Sequence, residues 1–154
     1  MGFAIIAPAL ASAAMATSTS TFTVSATVKS TCLITANNLA FGVYTGVPLN
    51  GTSTILVTCT NTTPYNVGLG VGAATGATVT PPKMTATAPI ATLSYALFRD
   101  AAMSLNWGQT LATDTLAGTG NGAAQTLTVY GQVAAGQYVA PNSYTDTVLA
   151  TITY

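Results

Sequence analysis

Apolar and hydroxyl-bearing residues alternate along this chain in short runs that end at Gly, Pro or Asn. A period of two places successive residues on opposite faces of a β-strand, whereas a helical stripe would need spacings of three and four. The pattern therefore predicts an all-β domain, and about eight or nine strands in one domain predict a sandwich or a barrel. The predicted strands are residues 21–28, 31–35, 39–44, 53–60, 65–71, 93–99, 105–107, 127–133 and 144–154.

The first and the last predicted strands each have an apolar face and a face that is mainly threonine. In the first strand the apolar face holds Phe22, Val24, Ala26 and Val28. In the last strand it holds Val148, Ala150, Ile152 and Tyr154. A strand at a sheet edge leaves backbone amides and carbonyls unpaired, so these two runs raise the question of what completes the edges of the sheets.

Two stretches between the predicted strands are rich in Pro or Gly. Residues 72–91 include Pro81, Pro82 and Pro89, which predicts a long connection with room for one edge strand. Residues 118–122 alternate Gly with Thr and Asn. A phosphate-binding loop would need a following helix and a Lys at fixed spacing, and the sequence offers neither, so these glycines predict a turn.

Residues 1–16 are apolar and end in small residues, with Ala11-Ser12-Ala13 and Ala14-Met15-Ala16 matching the A-x-A pattern of signal-peptide cleavage. We interpret them as the end of a secretory signal and expect the protein to be exported. Pro8 interrupts a helix, and the segment is short for a bilayer span. A basic residue, usual at the start of a signal, is missing before Phe3. A short buried helix or a tether is the alternative interpretation.

Composition and charge narrow the possible functions. The chain has 154 residues, of which 49% are hydrophobic, and this is sufficient for a single domain with one core. Three basic and three acidic side chains give a formal net charge of +0, so no nucleic-acid partner is expected. There is no His, and the side-chain carboxylates are Asp100, Asp114 and Asp146. We therefore expect no enzymatic activity, catalytic residue, metal, cofactor or small-molecule substrate.

The sequence contains two cysteines, Cys32 and Cys59. In an exported protein they predict one disulfide, which stabilises the fold by roughly 3 to 4 kcal/mol in the chain-entropy model. Two buried free thiols are an alternative. A zinc site is a weaker alternative, because no His or further Cys is present to complete four ligands.

Several blocks of sequence resemble the spore coat protein U domain, a family that includes subunits of Csu-type archaic chaperone-usher pili. The first block is Cys32-Leu-Ile-Thr-Ala-Asn-Asn-Leu-Ala-Phe-Gly-Val-Tyr44. The later blocks follow in the family's order: Ile55-Leu-Val-Thr-Cys-Thr60, Pro64-Tyr-Asn-Val67, Leu93-Ser-Tyr-Ala-Leu-Phe-Arg-Asp100, Trp107-Gly108, Val129-Tyr-Gly-Gln-Val133 and Tyr144-Thr-Asp-Thr-Val148. The resemblance covers residues 22–154 and is weakest in the connection 72–91, where Lys83 directly precedes Met84 instead of an Arg two residues before it.

The resemblance implies an incomplete immunoglobulin-like β-sandwich that lacks its final strand. Residues 30–154 would form this pilin domain, and residues 17–29 would be a donor strand that completes the sandwich of a neighbouring subunit. The apolar face of the donor would enter a groove lined by Val148, Ala150, Ile152 and Tyr154. A periplasmic chaperone would occupy this groove first, and the exchange would take place at an outer-membrane usher. The implied product is a homopolymer, a cell-surface pilus that supports adhesion and biofilm formation.

A second function stays open on the sequence alone. A single-domain secreted coat protein, or a carbohydrate- or surface-binding protein, would be self-complemented, with residues 17–29 paired inside their own domain. A pilus tip adhesin is a related possibility, but it would normally add a receptor-binding domain and lack a donor strand. Aromatic side chains could form a binding platform, although Tyr95 and Trp107 in apolar surroundings are better explained as core residues.

Overall fold

The structure is a computed structural model that describes residues 14–154. The strands in this part of the chain are β1 (Cys32–Ala36), β2 (Leu49–Cys59), β3 (Pro64–Leu69), β4 (Lys83–Thr87), β5 (Ile90–Ser94), β6 (Ala96–Phe98), β7 (Leu116–Thr119), β8 (Ala124–Val133) and β9 (Ala150–Thr153). The described residues include no helix that is long and apolar enough to cross a membrane. The predicted export segment falls outside the described residues except for residues 14–16, which are exposed.

The strands form two antiparallel sheets and a separate hairpin. One sheet has the order β1-β2-β8-β6, the other has the order β7-β3-β9, and β4 pairs with β5. Within β2, Ile55, Val57 and Cys59 are buried whereas Leu56 is exposed, so the alternation in the sequence becomes an inner and an outer face. The prediction of an all-β fold is confirmed.

The hydrophobic core lies between the inner faces of the two larger sheets. Ile55 and Val57 from β2 belong to one cluster with Tyr65 and Val67 from β3, and each of these side chains is at most 3% exposed. Trp107 is 1% exposed, and its indole Nε1 donates a hydrogen bond of 2.8 Å to the carbonyl of Val67. Trp107 therefore fastens the loop between β6 and β7 to β3, and it is a core residue, as the sequence predicted.

Several predicted strands are confirmed as β1, β2, β3 and β8, namely residues 31–35, 53–60, 65–71 and 127–133. The predicted strand 93–99 is interrupted at Tyr95, because the Tyr95 amide donates to the carbonyl of Pro82 outside the strand ladders. The predicted connection 72–91 contains β4 and the beginning of β5, so the edge strand that its composition allowed is a hairpin.

Residues 39–44 form no strand, although their apolar pattern predicted one. Gly42 has a φ of 86°, which takes the chain out of an extended conformation. Leu39 and Phe41 turn inward instead, and both side chains lie over Gly131, at the point where a Cβ on that residue would be 2.9 Å from each. Glycine thus makes room on the inner face of the sheet for two side chains from a loop.

Other predicted boundaries were wrong. Residues 105–107 contribute only a bridge between Asn106 and Phe98. The predicted turn 118–122 begins inside β7, which pairs with β3. In the predicted strand 144–154, a bridge at Thr145 is followed by unpaired residues, and the ladder starts only at β9. The reason is that β3 ends at Leu69, opposite Ala150, so residues 146–149 have no strand of the described chain to pair with on that side.

Candidate functional site

An open groove lies between the two sheets, beside the edge strands β1 and β9. One wall is the end of β1 with its continuation, residues 36–39, and the other wall is residues 144–150, which lead into β9. The groove has a volume of about 570 Å³, and its floor contains the core side chains of Ile55, Leu69 and Leu97. The sandwich therefore leaves part of its apolar interior accessible on this side.

Both strands beside the groove have one unpaired edge. β1 is paired only with β2, and β9 is paired only with β3. Some Cα atoms of β1 and β9 lie within 8 Å of each other, but the ladders of the described chain do not join the two strands. An exposed strand edge is a template for another strand, and the apolar groove opens beside these two strands, at residues 36–39 and 144–150.

The backbone of the wall that leads into β9 has a defined direction. Thr145 exchanges two backbone hydrogen bonds with Thr85 of β4. The carbonyl of Leu149 accepts a hydrogen bond of 2.8 Å from the amide of Gly70. The odd-numbered residues of this wall therefore direct their amides and carbonyls away from the groove, towards the rest of the domain.

The even-numbered residues of the same wall are directed towards the groove. Successive residues of an extended strand present their amide and carbonyl groups to opposite edges. Among residues 14–154, the backbone amides and carbonyls of Asp146 and Val148 have no hydrogen-bond partner. These groups are available to a strand that enters the groove.

Asp146 attaches the groove wall to the core. Its Oδ2 accepts a hydrogen bond of 2.7 Å from the hydroxyl of Tyr95, and its Oδ1 accepts bonds of 2.8 Å from the amides of Ala73 and Thr147. Burial, and then the hydrogen bond to Asp146, raises the pKa of the Tyr95 hydroxyl above its ordinary value. Gly72 has a φ of 87°, and a Cβ there would overlap the Asp146 carboxylate. The carboxylate is therefore fully engaged in holding the wall.

Residues predicted to line the groove are only partly brought together there. Val148 and Ala150 line it. Ile152 packs against the core further along β9, and Tyr154 is 57% exposed. Sequence reasoning did not assign Tyr144, Asp146 or the opposite wall, residues 36–39, to the groove. Alternation within residues 144–148 is the signal that could have identified two of them. Tyr144 and Asp146 are even-numbered, like Val148, so all three lie on the same face of an extended strand.

Residues 17–29 form no strand in the described structure, and every one of them is exposed. Phe22, Val24 and Val28 are 88%, 81% and 87% exposed. The described chain therefore gives these residues no strand partner, and their role as a donor strand stays a prediction. Alternation specifies which side chains share a face, but it does not specify which surface covers that face.

Cys32 and Cys59 form a disulfide, as the sequence predicted. The two residues are directly opposite in the ladder between β1 and β2, so the bond fixes the first residue of β1 to the last residue of β2. β1 has five residues and is paired on one side only. The disulfide therefore secures the strand whose free edge borders the groove.

Beyond the groove lies a wider cleft of about 1120 Å³, which shares Tyr144 with it. Three polar side chains of this cleft bond within the protein, whereas Tyr138 is 95% exposed. The hydroxyls of Tyr44 and Tyr144 donate to main-chain carbonyls, and the Gln137 side chain bonds to both backbone groups of Ser94. In the part of the chain that is described, no three His, Cys, Asp or Glu side chains form a metal-binding group.

The match of this chain to known families decides its assignment. Residues 18–151 match the family model of the Spore Coat Protein U domain. The chain belongs to the spore coat protein U domain family. This confirms the resemblance found in the sequence blocks. Protein U of Myxococcus xanthus is 36% identical over 162 residues, a stretch that covers 95% of this chain and 90% of that protein.

A solved structure from an archaic chaperone-usher pilus shares the fold of this family member. One is a chaperone and tip adhesion subunit pre-assembly complex from the archaic chaperone-usher Csu pili of Acinetobacter baumannii, with a TM-score of 0.60 and 20% identity. The match covers 83% of this chain and 41% of that chain. The Hda pilus minor tip subunit of E. coli has a TM-score of 0.37 and 16% identity over 79% of each chain. The Csu likeness identifies the sandwich as immunoglobulin-like.

Proposed function

We propose that this protein is a structural subunit of an archaic chaperone-usher pilus, and that it polymerises by donor-strand complementation. Residues 17–29 of one subunit occupy the groove of its neighbour as an added strand. The observation that carries the proposal is the presence, in one chain, of an apolar groove whose wall, residues 144–150, has unpaired backbone groups, and of an unpaired segment with a regular apolar face.

The groove and the segment have complementary requirements. Unpaired backbone groups beside an apolar floor are costly unless another strand supplies hydrogen bonds, and Asp146 and Val148 present such groups. The segment supplies both a free backbone and apolar side chains. With about 1.5 to 3 kcal/mol for each large side chain and less for Ala, insertion contributes on the order of 5 to 9 kcal/mol before ordering costs. Such a joint would be long-lived.

Insertion into a neighbour and insertion into the same domain differ in strand polarity. β1 begins at the end of the sandwich that carries the disulfide, and β9 runs towards that end, antiparallel to β3. Residues 17–29 leave the domain at this same end. A segment that reaches the groove from a subunit beyond the opposite end runs antiparallel to β9. The chain's own segment, folded back in front of β1, would run parallel to β9.

The connection before β1 disfavours folding back. A reversal would have to occur within Lys29, Ser30 and Thr31, and tight hairpins favour Gly or Asn at such positions. The carbonyl of Thr31 accepts a bond of 3.0 Å from the amide of Thr60, and its amide donates to the Thr60 hydroxyl at 3.2 Å. These bonds hold the start of β1 in place, which supports insertion into a neighbour over self-complementation.

An apolar groove that is open before polymerisation needs a temporary partner. We assign this role to a periplasmic chaperone and the exchange step to an outer-membrane usher, with the product exported as a homopolymeric pilus at the cell surface. The fold shared with a Csu subunit that was crystallised with its chaperone supports this assignment. A pilus of this kind would serve in adhesion and biofilm formation. None of these roles requires a catalytic residue or a cofactor.

A self-complemented coat or carbohydrate-binding protein is the alternative function. A sugar-binding cleft needs free polar groups beside its aromatic rings. In the wider cleft, the Tyr44 and Tyr144 hydroxyls and the Gln137 amide already bond within the protein. This favours the pilus subunit.

The proposal is tested by electrophoresis of the exported protein in SDS, with and without boiling, together with electron microscopy. We expect a ladder of multimers that collapses on boiling, and thin fibres in the same sample. A single monomer band before heating, without fibres, would favour the self-complemented protein.

Two neighbouring substitutions provide a matched comparison. Val24→Asp places a charge on the inserted face and should abolish the ladder, because a buried unpaired charge is very unfavourable. Ser25→Asp adds the same charge on the opposite face and should retain the ladder. Equal ladders from the two variants would contradict the assignment of residues 17–29 as the donor strand.

A further inference from the structure

We infer that Asp146 sets the register of the inserted strand, and that Ala26 of the donor is the residue that lies opposite it. The inference rests on the proposed function, because it describes the same joint in more detail. It follows from the direction of the backbone groups, the extent of the open groove and the sizes of the side chains on the two strands.

Backbone parity restricts the registers that are possible. The even-numbered residues of the wall direct their amides and carbonyls into the groove, as Asp146 and Val148 do. Their side chains lie on the core side, as the contacts of Val148 and Ala150 with the core show. In an antiparallel pair, residues directly opposite each other share a face. The even-numbered apolar donor residues must therefore lie opposite even-numbered wall residues.

The length of the open groove further restricts the possible registers of the donor strand. A strand between two others requires them to be about 9.5 Å apart, twice the spacing of neighbouring strands. Some Cα atoms of β1 and β9 lie within 8 Å of each other, so the gap between these two strands is too narrow for a further strand. The residues of the wall that line the open part end at Ala150, and Ile152 and Tyr154 do not line it. The inserted face therefore lies against residues 144–150.

One antiparallel register fills this span with matched sizes. It places Phe22 opposite Ala150, Val24 opposite Val148, Ala26 opposite Asp146 and Val28 opposite Tyr144. The largest donor side chain thus lies opposite the smallest wall residue. The smallest donor side chain, that of Ala26, lies opposite Asp146, whose hydrogen bonds allow the least displacement.

Asp146 tolerates little displacement. Its carboxylate holds Tyr95, Ala73 and Thr147 through bonds of 2.7 to 2.8 Å, and Gly72 lies directly behind it. A methyl group can pack beside this network without pushing it. A slide of two residues in either direction would place Val24 or Val28 against the carboxylate, where the branched side chain would be overpacked.

Cysteine pairs in the full chain test the register directly. A hydrogen-bonded antiparallel pair has its Cα atoms about 5.5 Å apart, within the range for a disulfide. After mild oxidation of polymers, V24C/V148C should give multimers that survive boiling without reductant. V24C/I152C, which represents a register displaced towards Tyr154, should not, and neither should the single-cysteine variants.

The outcomes separate this inference from the proposed function. Cross-linking by V24C/I152C, or by neither pair while the heat-sensitive ladder is retained, would overturn the register and leave the pilus subunit intact. A wild-type protein without any ladder would overturn both.

If the cysteine variants do not polymerise, a second measurement tests whether Ala26 lies opposite Asp146. Ala26→Val should weaken the ladder roughly tenfold or more, the effect expected for an overpacked site. Ser25→Val adds similar volume on the opposite face and should leave the ladder unchanged. An undiminished ladder from Ala26→Val would show that Ala26 does not face the crowded position.

Discussion

The hydroxyl of Tyr95 donates a hydrogen bond of 2.7 Å to Oδ2 of Asp146, and this bond joins the buried core to the wall of the open groove. Tyr95 is 6% exposed and reaches the groove from the core, and Asp146 belongs to the groove wall. The wall has no ladder partner at this point in the described chain, so its position depends on side-chain bonds of this kind. The stability of the core and the shape of the groove are therefore coupled through one pair of residues.

This pair predicts a pH dependence of stability. Burial and the bond to Asp146 raise the pKa of Tyr95 above its ordinary value of 10.0. Above about pH 10 the unfolded chain loses a proton that the folded chain retains, so unfolding becomes easier as pH rises. Below that pH, Tyr95 makes its full contribution to the free energy of unfolding. We expect the free energy of unfolding to fall more steeply with alkaline pH in the wild type than in Tyr95→Phe, as measured by denaturant titration of Trp107 fluorescence.

At neutral pH we expect Tyr95→Phe to be less stable than the wild type. Tyr95→Phe removes the hydroxyl and leaves part of the Asp146 carboxylate without a donor, which costs about 1 to 3 kcal/mol of stability. Identical pH slopes in the two proteins would show that the Tyr95 hydroxyl is not held neutral by its surroundings.

Gly72 provides a second test of the same network. Its φ of 87° is unfavourable for other residues, and a Cβ would overlap the Asp146 carboxylate. Gly76 has a φ of 71° with no atom within 4 Å of such a Cβ, so Gly76→Ala isolates the backbone effect. We expect Gly76→Ala to lose about 1 to 2 kcal/mol and Gly72→Ala to lose more, in thermal or denaturant unfolding. Equal losses would mean that the wall moves aside at no cost.

The strands with a ladder partner on each side could be predicted from sequence. In β2 and β8, alternation is enforced by a core on one face and solvent on the other, so the period of two is a reliable signal. The same signal was misleading at residues 39–44, where Leu39 and Phe41 are apolar because they pack from a loop onto a glycine surface. Hydrophobic periodicity indicates which side chains are buried. A loop can bury its side chains without pairing in a sheet, as residues 39–44 do.

The groove was less accessible to sequence reasoning than the strands. Ile152 and Val148 have the same parity and similar chemistry, but they occupy different surroundings. Ile152 lies in β9, which comes within 8 Å of β1, whereas Val148 precedes β9 and lines the open groove. That closure depends on how two sheets from distant parts of the chain are packed. The sequence shows Asp146 only as one of its carboxylates. Its role in holding the groove wall depends on contacts with Tyr95 and Ala73, which are 51 and 73 residues away in sequence.

The disulfide should be important for both stability and the groove. Replacing Cys32 and Cys59 with Ser together opens a loop with a sequence separation of 27. The chain-entropy model gives a loss of about 3.5 kcal/mol. We expect this loss in denaturant unfolding, with the larger fraction of early amide exchange in β1, because β1 has only one ladder partner. Uniform exchange across the sandwich would contradict a specific role at the groove edge.

The acceptor side of the proposed joint can be tested without touching the donor. Ala150→Leu fills the groove opposite the expected position of Phe22, so it should block insertion and abolish the heat-sensitive ladder. Thr151→Leu adds an apolar side chain to the exposed face of the same strand and should preserve it. Both variants should retain Trp107 fluorescence and the far-ultraviolet circular dichroism of the folded domain. If Ala150→Leu polymerises as well as Thr151→Leu, the inserted strand does not pass Ala150, and the apolar groove must have another occupant.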